Sequence, residues 1–481
     1  VDPRAIERLL VRVDIDHSAR GDLFIELTAP DGTKVLLHQL SSSRTPDIHT
    51  AFEVDALDGR SAAGTWTLFV ADRRPRDSGT LVSWALEIQF AGDAPVTARP
   101  SGSPSQMIPV VAHLFGQNGA YVSDVRIANP SASPRTATLI FTRSGEESFA
   151  VQRVALDAGQ TAALDDVVER TFHTFGSGTL EVQGDVIMMS RVAGQAVPAN
   201  LDTTAVGEPL LIVAPVPEAA TRVNFGLAEV AGGRGIVQVG DREIEIVPFS
   251  HVQFPVGTEL LDIRVIDGDA RVSAYVSQIG GDALFVAAES AVERRGCAPA
   301  ITSQTSGEPE WQSDVWFASP QAGLLGVDAI PGGSTSAVIP ALYRDLLATL
   351  FHRTITTSAL CATLPANVFA SSRIVHGAIT EAVPLLPPGP LEQHLLFLEN
   401  DTMQRTNIGI FSENAATAEV TVYDAAGIEL ERFGLSTPGG VAQREVRASV
   451  TNGRAVVRLT AGNGRAYASV IGDDATFFPG R

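Results

Sequence analysis

Four aspartates near the N-terminus have the residue type and placement that a metal site needs. Asp16, Asp22, Asp72 and Asp77 all lie where a predicted strand ends or a turn begins. Calcium takes six to eight oxygen ligands, several of them carboxylates on adaptable loops, so these residues form a candidate calcium site. The alternative is that the acids cap turns and hold hairpins through hydrogen bonds to the backbone. No D-x-D-x-D-G loop decides between the two.

The histidines and nucleophiles show no catalytic pattern. The nine histidines include no pair at i, i+4 and no H-E-x-x-H motif, so zinc hydrolysis is not supported. A G-x-S-x-G elbow and a P-loop are also absent. His17 is the best-placed histidine, as a ligand or pH switch or as a structural group that bonds the hairpin backbone. Because the acid pairs Asp165-Asp166 and Asp473-Asp474 fit a helix start and a hairpin, we predict a non-catalytic chain.

The net charge and the cysteine content limit the classes of partner and metal that the chain is expected to bind. The formal net charge is −20, and Lys34 is the sole lysine, which argues against nucleic acid and anionic membranes as partners and is compatible with divalent cations. No apolar run approaches the roughly 18 residues of a membrane span. Cys297 and Cys361 lie outside any C-x-x-C pair, so a thiol metal site is not expected. They form either one disulfide or two buried free thiols.

Alternation of apolar and polar residues predicts strands at 67–70, 84–88, 137–141 and 419–423. Long helical periodicity is nearly absent, with two short exceptions at 164–172 and 343–351. Many short strands between Gly, Pro, Asn and Asp turns predict an all-β chain of sandwiches. Residues 92–106, rich in Pro, Ser, Gly and Ala, predict a linker.

An internal repeat organises the chain after this linker. AYVSQIGGDALF at 274–285 recurs as AYASVIGDDATF at 466–477, and RVNFG at 222–226 recurs as RTNIG at 405–409. SDV at 123–125 and VIMMSR at 186–191 recur as SDV at 313–315 and VFASSR at 368–373. Matches in the same order with drifting spacing indicate a duplicated pair of small sandwiches. The predicted domains are 107–200, 207–290, 308–384 and 392–481, the third repeating the first and the fourth repeating the second.

The first 91 residues carry a specific set of motifs. VRVDIDHSARGDL at 11–23 is followed by APDGT at 29–33, and GTWTLFVAD at 64–72 by DSGTLVSW at 77–84. Residues 1–91 therefore resemble the P domain (Homo B domain) that follows subtilisin-like protease domains. The resemblance implies a jelly-roll-like sandwich without catalysis, a secreted setting, a role in stabilising or regulating a protease and, in some members, bound calcium. The later segments resemble duplicated immunoglobulin-like segments of exported bacterial proteins.

Two functions remain open. In the first, the chain is a non-catalytic extracellular or cell-surface β-rod that adheres to partners or self-assembles into a filament through sheet edges, as a homo-oligomer or polymer. In the alternative, it is the C-terminal accessory region of a secreted subtilisin-like serine protease, whose upstream domain is its partner. Since the chain starts at Val1 and not at methionine, we expect a longer precursor.

Overall fold

The computed structural model describes residues 5–41, 47–75, 78–90, 98–116, 119–213, 222–257, 260–279, 284–301, 312–321, 323–339, 342–352, 357–376, 379–472 and 475–480. Strands make up 65% of the structure and helices 3%, which confirms the all-β prediction. The chain divides into two compact units. Unit 1 comprises Val1–Pro100 and Val168–Phe175, and unit 2 comprises Ser101–Val167 and Gly176–Arg481.

Unit 1 contains a sandwich of two three-stranded antiparallel sheets. Its strands are β1 (Ile6–His17), β2 (Leu23–Thr28), β3 (Lys34–His38), β4 (Ile48–Glu53), β5 (Thr67–Asp72) and β6 (Gly79–Phe90), with 3-10 turns at Arg20–Asp22 and Asp55–Leu57. The sheets have the orders β4-β1-β6 and β3-β2-β5. Alternation along β2 turns Leu23, Ile25 and Leu27 into the core and leaves Phe24 and Glu26 on the outer face.

Unit 2 contains four sandwiches in succession. Sandwich 1 has β7 (Ser105–Gly116), β8 (Gly119–Ala128), β9 (Arg135–Arg143), β10 (Phe149–Leu156), β11 (Thr161–Leu164), β12 (Gly176–Gln183), β13 (Ile187–Val192) and β14 (Gln195–Val197). Sandwich 2 has β15 (Leu210–Val213), β16 (Arg222–Glu229), β17 (Gly235–Val239), β18 (Arg242–Ile246), β19 (His251–Pro255), β20 (Leu260–Gly268), β21 (Val272–Ile279), β22 (Leu284–Ala287) and β23 (Glu289–Ser290).

Sandwich 3 has β24 (Arg294–Ile301), β25 (Gln312–Ala318), β26 (Gly323–Ile330), β27 (Gly333–Ile339), β28 (Leu342–Leu346), β29 (Thr357–Leu364), β30 (Phe369–His376) and β31 (Ile379–Pro384). Sandwich 4 has β32 (Glu392–Asn400), β33 (Arg405–Ser412), β34 (Ala416–Tyr423), β35 (Glu429–Thr437), β36 (Gly440–Glu445), β37 (Val450–Ala461), β38 (Arg465–Ile471) and β39 (Ala475–Pro479). The two segments with helical periodicity form only a π-helical turn, Val167–Thr171, and the helix α1, Leu347–Leu350.

All four sandwiches share one strand order. Numbering the strands from one to eight within each sandwich, one sheet has the order 4-3-6-1 and the other 5-2-7-8. In sandwich 1 the two sheets are joined through the β7–β8 pair, and in sandwich 2 the short strand β23 is added beside β15. The repeated sandwiches are thus present. Their order differs from the immunoglobulin order, in which strands 1-2-5-4 and 3-6-7 form the sheets.

Two domain boundaries differ from the sequence prediction. β24 pairs along its whole length with β29, so sandwich 3 begins well before the predicted residue 308. β7 begins at Ser105, inside the predicted linker 92–106, and residues 91–97 lie outside the described part of the chain. In both places a first strand pairs with a strand far along the chain, and local composition carries no signal of that pairing.

The repeated sequence segments hold matching cross-strand contacts. Asp124 on β8 lies opposite Arg191 on β13, with Oδ2 and Nε 2.9 Å apart. Asp314 on β25 lies opposite Arg373 on β30, with Oδ2 and Nη2 2.7 Å apart. The Asp314–Arg373 pair is buried, so the loss of either partner would leave an uncompensated charge, whereas the Asp124–Arg191 pair is partly exposed.

A second repeated contact joins a glycine to a tyrosine. Gly226 on β16 lies opposite Tyr275 on β21, and Gly409 on β33 lies opposite Tyr467 on β38. A Cβ atom at Gly226 would lie 2.1 Å from the Tyr275 ring, and one at Gly409 would lie 2.4 Å from the Tyr467 ring. The tyrosine therefore occupies the space that a side chain at the glycine position would need. This explains why the segments that contain the glycine (222–226 and 405–409) and those that contain the tyrosine (274–285 and 466–477) recur together.

The four sandwiches form a closed ring within unit 2. The eighth strand of each sandwich is an end strand of its sheet. β14 contacts β22 and β39, and β31 contacts β22 and β39. These contacts cover four end strands that would otherwise be exposed. Because sandwich 1 meets sandwich 4, the arrangement differs from the end-to-end string that a rod requires.

Phe397 is central to the contact between sandwiches 1 and 4. Its ring, fully buried, stacks on Phe478 at 5.0 Å between centroids. Arg126 and Arg191 of sandwich 1 lie over the same ring at 4.7 Å and 5.1 Å. Apolar burial and two cation–π contacts at Phe397 therefore hold sandwich 1 and sandwich 4 together and close the circle of four sandwiches.

Candidate functional site

His17 lies at the end of β1, opposite Gly79 on β6. The histidine is 4% exposed. A Cβ atom at Gly79 would lie 2.5 Å from the His17 ring. Glycine is therefore needed at residue 79 because a side chain there would clash with the His17 ring.

The His17 ring holds the turn that leads into β2. His17 Nδ1 lies 3.1 Å from the backbone nitrogen of Ala19 and 3.0 Å from the Ala19 carbonyl oxygen. The backbone N–H of His17 donates to Asp47 Oδ1 at 2.8 Å. Nε2 faces Asp72 Oδ2 at 3.5 Å. These contacts support the structural interpretation of His17 over a ligand role.

Three of the four predicted calcium ligands, Asp16, Asp22 and Asp72, lie in the described part of unit 1. Asp22 Oδ1 is 3.1 Å from Nη1 of Arg74, and Asp72 Oδ1 accepts the Arg74 backbone N–H at 3.0 Å. Asp16, half-buried, is on β1 opposite Thr80. Asp77 lies outside the described residues. Among the described residues of unit 1, no three acids converge on one point, and calcium binding by Asp16, Asp22, Asp72 and Asp77 stays a prediction.

A cleft of about 430 Å³ with a mixed polar and apolar lining opens beside His17 and Asp72. Ile15, Leu23 and Leu81 line it. Within the part of the chain described, His17 Nε2 is a buried atom without a hydrogen-bond partner. The cleft has room for an apolar side chain of a partner, although sequence patterns alone could not reveal it.

The outer face of the β3-β2-β5 sheet carries exposed apolar side chains. Leu36 on β3 and Phe69 on β5 both lie opposite Glu26, so the three share one face. Leu36 is 50% exposed and Phe69 is 46% exposed. Phe24 lies on the same face, and Arg73 covers its ring and that of Phe69 at 5.6 Å and 5.8 Å. Such an apolar patch with a charged rim is typical of a protein contact surface.

In unit 2 a disulfide joins Cys297 on β24 to Cys361 on β29, which are directly paired residues. Glu413 of sandwich 4 lies with Oε1 3.4 Å from Cys297 Sγ, and Arg295 forms an ion pair with Glu413. The bridge therefore lies where sandwich 3 meets sandwich 4. The oxidised sulfurs cannot act as thiolate ligands.

A buried polar cluster joins sandwiches 1 and 2. His251 Nδ1 lies 2.7 Å from Ser144 Oγ, and its Nε2 lies 2.6 Å from the Tyr275 hydroxyl. Burial lowers the pKa of His251 to about 4 and raises the pKa of Tyr275. Although Ser144 and His251 have the spacing of a nucleophile and base, the ring is fully buried and both its nitrogens are engaged. The cluster is a structural contact that no sequence motif predicted.

The fold and these surfaces define unit 1 as a β-sandwich with an exposed apolar outer face. The family model of the proprotein convertase P-domain matches residues 6–88, which form the six strands of this sandwich. Residues 6–88 are thus a P domain, an accessory domain of proteases. This agrees with the motif resemblance.

Several curated relatives that are named as proteases are similar to part of this chain. The calcium-dependent protease of Trichormus variabilis is 35% identical over 94 residues, covering 18% of this chain and 14% of that protein. The transglutaminase-activating metalloprotease of Streptomyces mobaraensis is 43% identical over 79 residues, covering 16% and 10%. Proprotein convertase subtilisin/kexin type 6 of Homo sapiens is 34% identical over 137 residues, covering 26% and 14%. The chain spans less than a fifth of the length of these relatives. Among the described residues, no helix is long and apolar enough to cross a membrane.

Proposed function

We propose that this chain is the non-catalytic accessory region of an exported protease, in which the P domain docks on the catalytic domain. The observation that carries the proposal is the P-domain match over residues 6–88. The outer face with Leu36 and Phe69 supplies the docking surface, because a large exposed apolar patch is stabilised when a partner covers it. An extracellular location follows from the same proposal.

The catalytic class of the protease is left open. The relatives' names include a metalloprotease and a subtilisin/kexin convertase. The partner therefore need not be the subtilisin-like domain that the motif resemblance implies. The filament hypothesis has no comparable support, since the end strands β14, β22, β31 and β39 contact one another within unit 2.

The first test is the reading frame that precedes the codon for Val1. A protease domain encoded in that frame supports the proposal. A frame with an export signal and no protease, and no protease gene beside it, contradicts it. The full-length protein then tests the docking face, because Phe69→Asp should lower the secreted proteolytic activity or its melting midpoint. Ala56→Asp, which adds the same charge in the exposed turn Asp55–Leu57 outside this face, is the matched control and should leave both unchanged.

Calcium stays a prediction for the P domain, supported by the name of one relative. If calcium binds at the end of the sandwich with Asp22 and Asp72, EDTA lowers the melting midpoint of the protein. The variant Asp22→Asn with Asp72→Asn should then have the lower midpoint with and without EDTA. Equal midpoints of the unmodified protein with EDTA and with added calcium would remove the calcium prediction.

A further inference from the structure

The ring of four sandwiches surrounds a cavity of about 480 Å³, which we call the central cavity. Each sandwich contributes to its wall: Ala196 from sandwich 1, Phe285 from sandwich 2, Phe369 from sandwich 3 and Phe477 from sandwich 4. Small-molecule sites typically have volumes of roughly 300–1,000 Å³ and lie between domains. The central cavity has both properties.

The wall of the central cavity is mainly apolar, and several prolines contribute to it. In sandwiches 1, 3 and 4 the last strand ends at or just before a proline: Pro198, Pro384 and Pro479, respectively. All three prolines line the cavity. Proline has no N–H group and cannot extend a ladder of strands. The cavity is therefore suited to an apolar molecule more than to an extended peptide that pairs as a strand.

Arg465 is the charged group of the wall that has no described carboxylate partner. Its Nε donates to the carbonyl of Pro387 at 2.8 Å, and its Nη1 donates to the carbonyl of Gly480 at 3.1 Å. Both acceptors are neutral, and burial lowers the pKa of Arg465. A guanidinium has five N–H donors, so donors remain for an anion.

The other charged residues at the wall have partners. Glu289 and Arg294 form an ion pair with each other, and Asp202 Oδ2 accepts the backbone N–H of Ser290 at 2.9 Å. The positive charge of Arg465 is thus the one that an incoming anion would meet at the described wall.

We propose that the central cavity binds a small amphipathic molecule whose apolar body lies among the phenylalanine and proline side chains and whose anionic head, a carboxylate or sulfonate, contacts Arg465. Charge-assisted hydrogen bonds from a guanidinium to such a head are stronger than neutral ones. The apolar body supplies most of the binding through burial.

The experiment uses the whole chain and the fluorescent probe anilinonaphthalene sulfonate, which has an aromatic body and one sulfonate. Titration should give one saturable site per chain. Ala287→Trp and the smaller change Ala382→Leu fill the central cavity and should weaken binding at least tenfold and severalfold, respectively. Ala150→Trp, on an exposed edge strand, is the matched control and should leave binding of the probe unchanged. Fluorescence that is unsaturable, or unchanged in both filled variants, would overturn the proposal.

The anionic head is tested by competition. Decanoate should displace the probe at roughly tenfold lower concentration than decanol, because the carboxylate gains a charge-assisted bond. Arg465→Gln should remove that difference, whereas Arg458→Gln, a change at the surface of sandwich 4, should preserve it. If decanoate and decanol displace the probe equally well from the unmodified chain, the role of Arg465 is wrong.

Discussion

Titration of His251 should make the stability contributed by its buried cluster in unit 2 depend on pH. The ring is fully buried between Ser144 Oγ and the Tyr275 hydroxyl, with 2.7 Å and 2.6 Å contacts. It stacks in parallel with the Tyr275 ring at 5.9 Å. Burial lowers its pKa from 6.5 to about 4, because the charged ring would lose its hydration in the interior.

The sign and size of this pH dependence follow from the pKa of His251 in the folded and the unfolded chain. An unfolded chain protonates His251 near pH 6.5, whereas the folded chain does so only near pH 4. The stability from the neutral ring is therefore complete above pH 6.5 and is lost as pH falls towards 4. At 1.36 kcal/mol per pKa unit, the loss is about 3 kcal/mol.

The assay compares the free energy of unfolding of the unmodified chain with that of His251→Gln in urea from pH 4 to pH 7.5. The difference is needed because Glu289, whose pKa is raised to about 7 by burial, loses its contribution as pH rises from 4.5 to 7. Both proteins share that opposing contribution, so subtraction removes it. His38→Gln, a change in unit 1, is the matched control.

The expected curve for the difference falls by about 3 kcal/mol between pH 6.5 and pH 4, and the His38→Gln difference should not follow it. An NMR titration should also place the His251 ring near pH 4. A difference that is flat over this interval, or a His251 ring that titrates near pH 6.5, would refute the reasoning from burial.

Three further changes test the packing of unit 2, each measured by urea unfolding. Gly409→Ala should destabilise the protein by roughly 1–3 kcal/mol, because the new methyl group overpacks against a tyrosine ring. At the control position Gly434 the nearest atom to a new Cβ is 3.9 Å away, so Gly434→Ala should change stability by under about 0.5 kcal/mol. Equal costs would contradict the glycine–tyrosine contact. Phe397→Ala should cost about 3–5 kcal/mol and enlarge the particle in X-ray scattering as the ring opens; an unchanged radius would contradict ring closure. Cys297→Ser with Cys361→Ser should cost about 2–4 kcal/mol, because the bridge spans a separation of 64 residues; no loss under non-reducing conditions would mean that the bridge does not constrain the unfolded chain.

Local patterns in the sequence were sufficient for the strands and for the P domain. The alternation at 67–70 and 419–423 corresponds to parts of β5 and β34, because side chains on a strand face opposite sides in turn. The motifs around Asp22 and Trp84 carried the resemblance to the P domain, and the family match over residues 6–88 agrees with it. The duplicated segments were visible because they hold directly paired residues such as Asp124 and Arg191.

The closed ring, the central cavity and the His251 cluster depended on the tertiary structure. Each is made by single residues from distant parts of the chain: Ser144 meets His251, and Phe397 meets Arg126. Strand periodicity reports which face of a strand is buried but not which sandwich covers it, because any apolar face satisfies the same pattern. The first strand of sandwich 3 was missed for the same reason, since its pairing with β29 is a long-range contact. Alternation and motifs therefore predict most strands of the five sandwiches, and only packing between the four of unit 2 creates the central cavity that all four of them line.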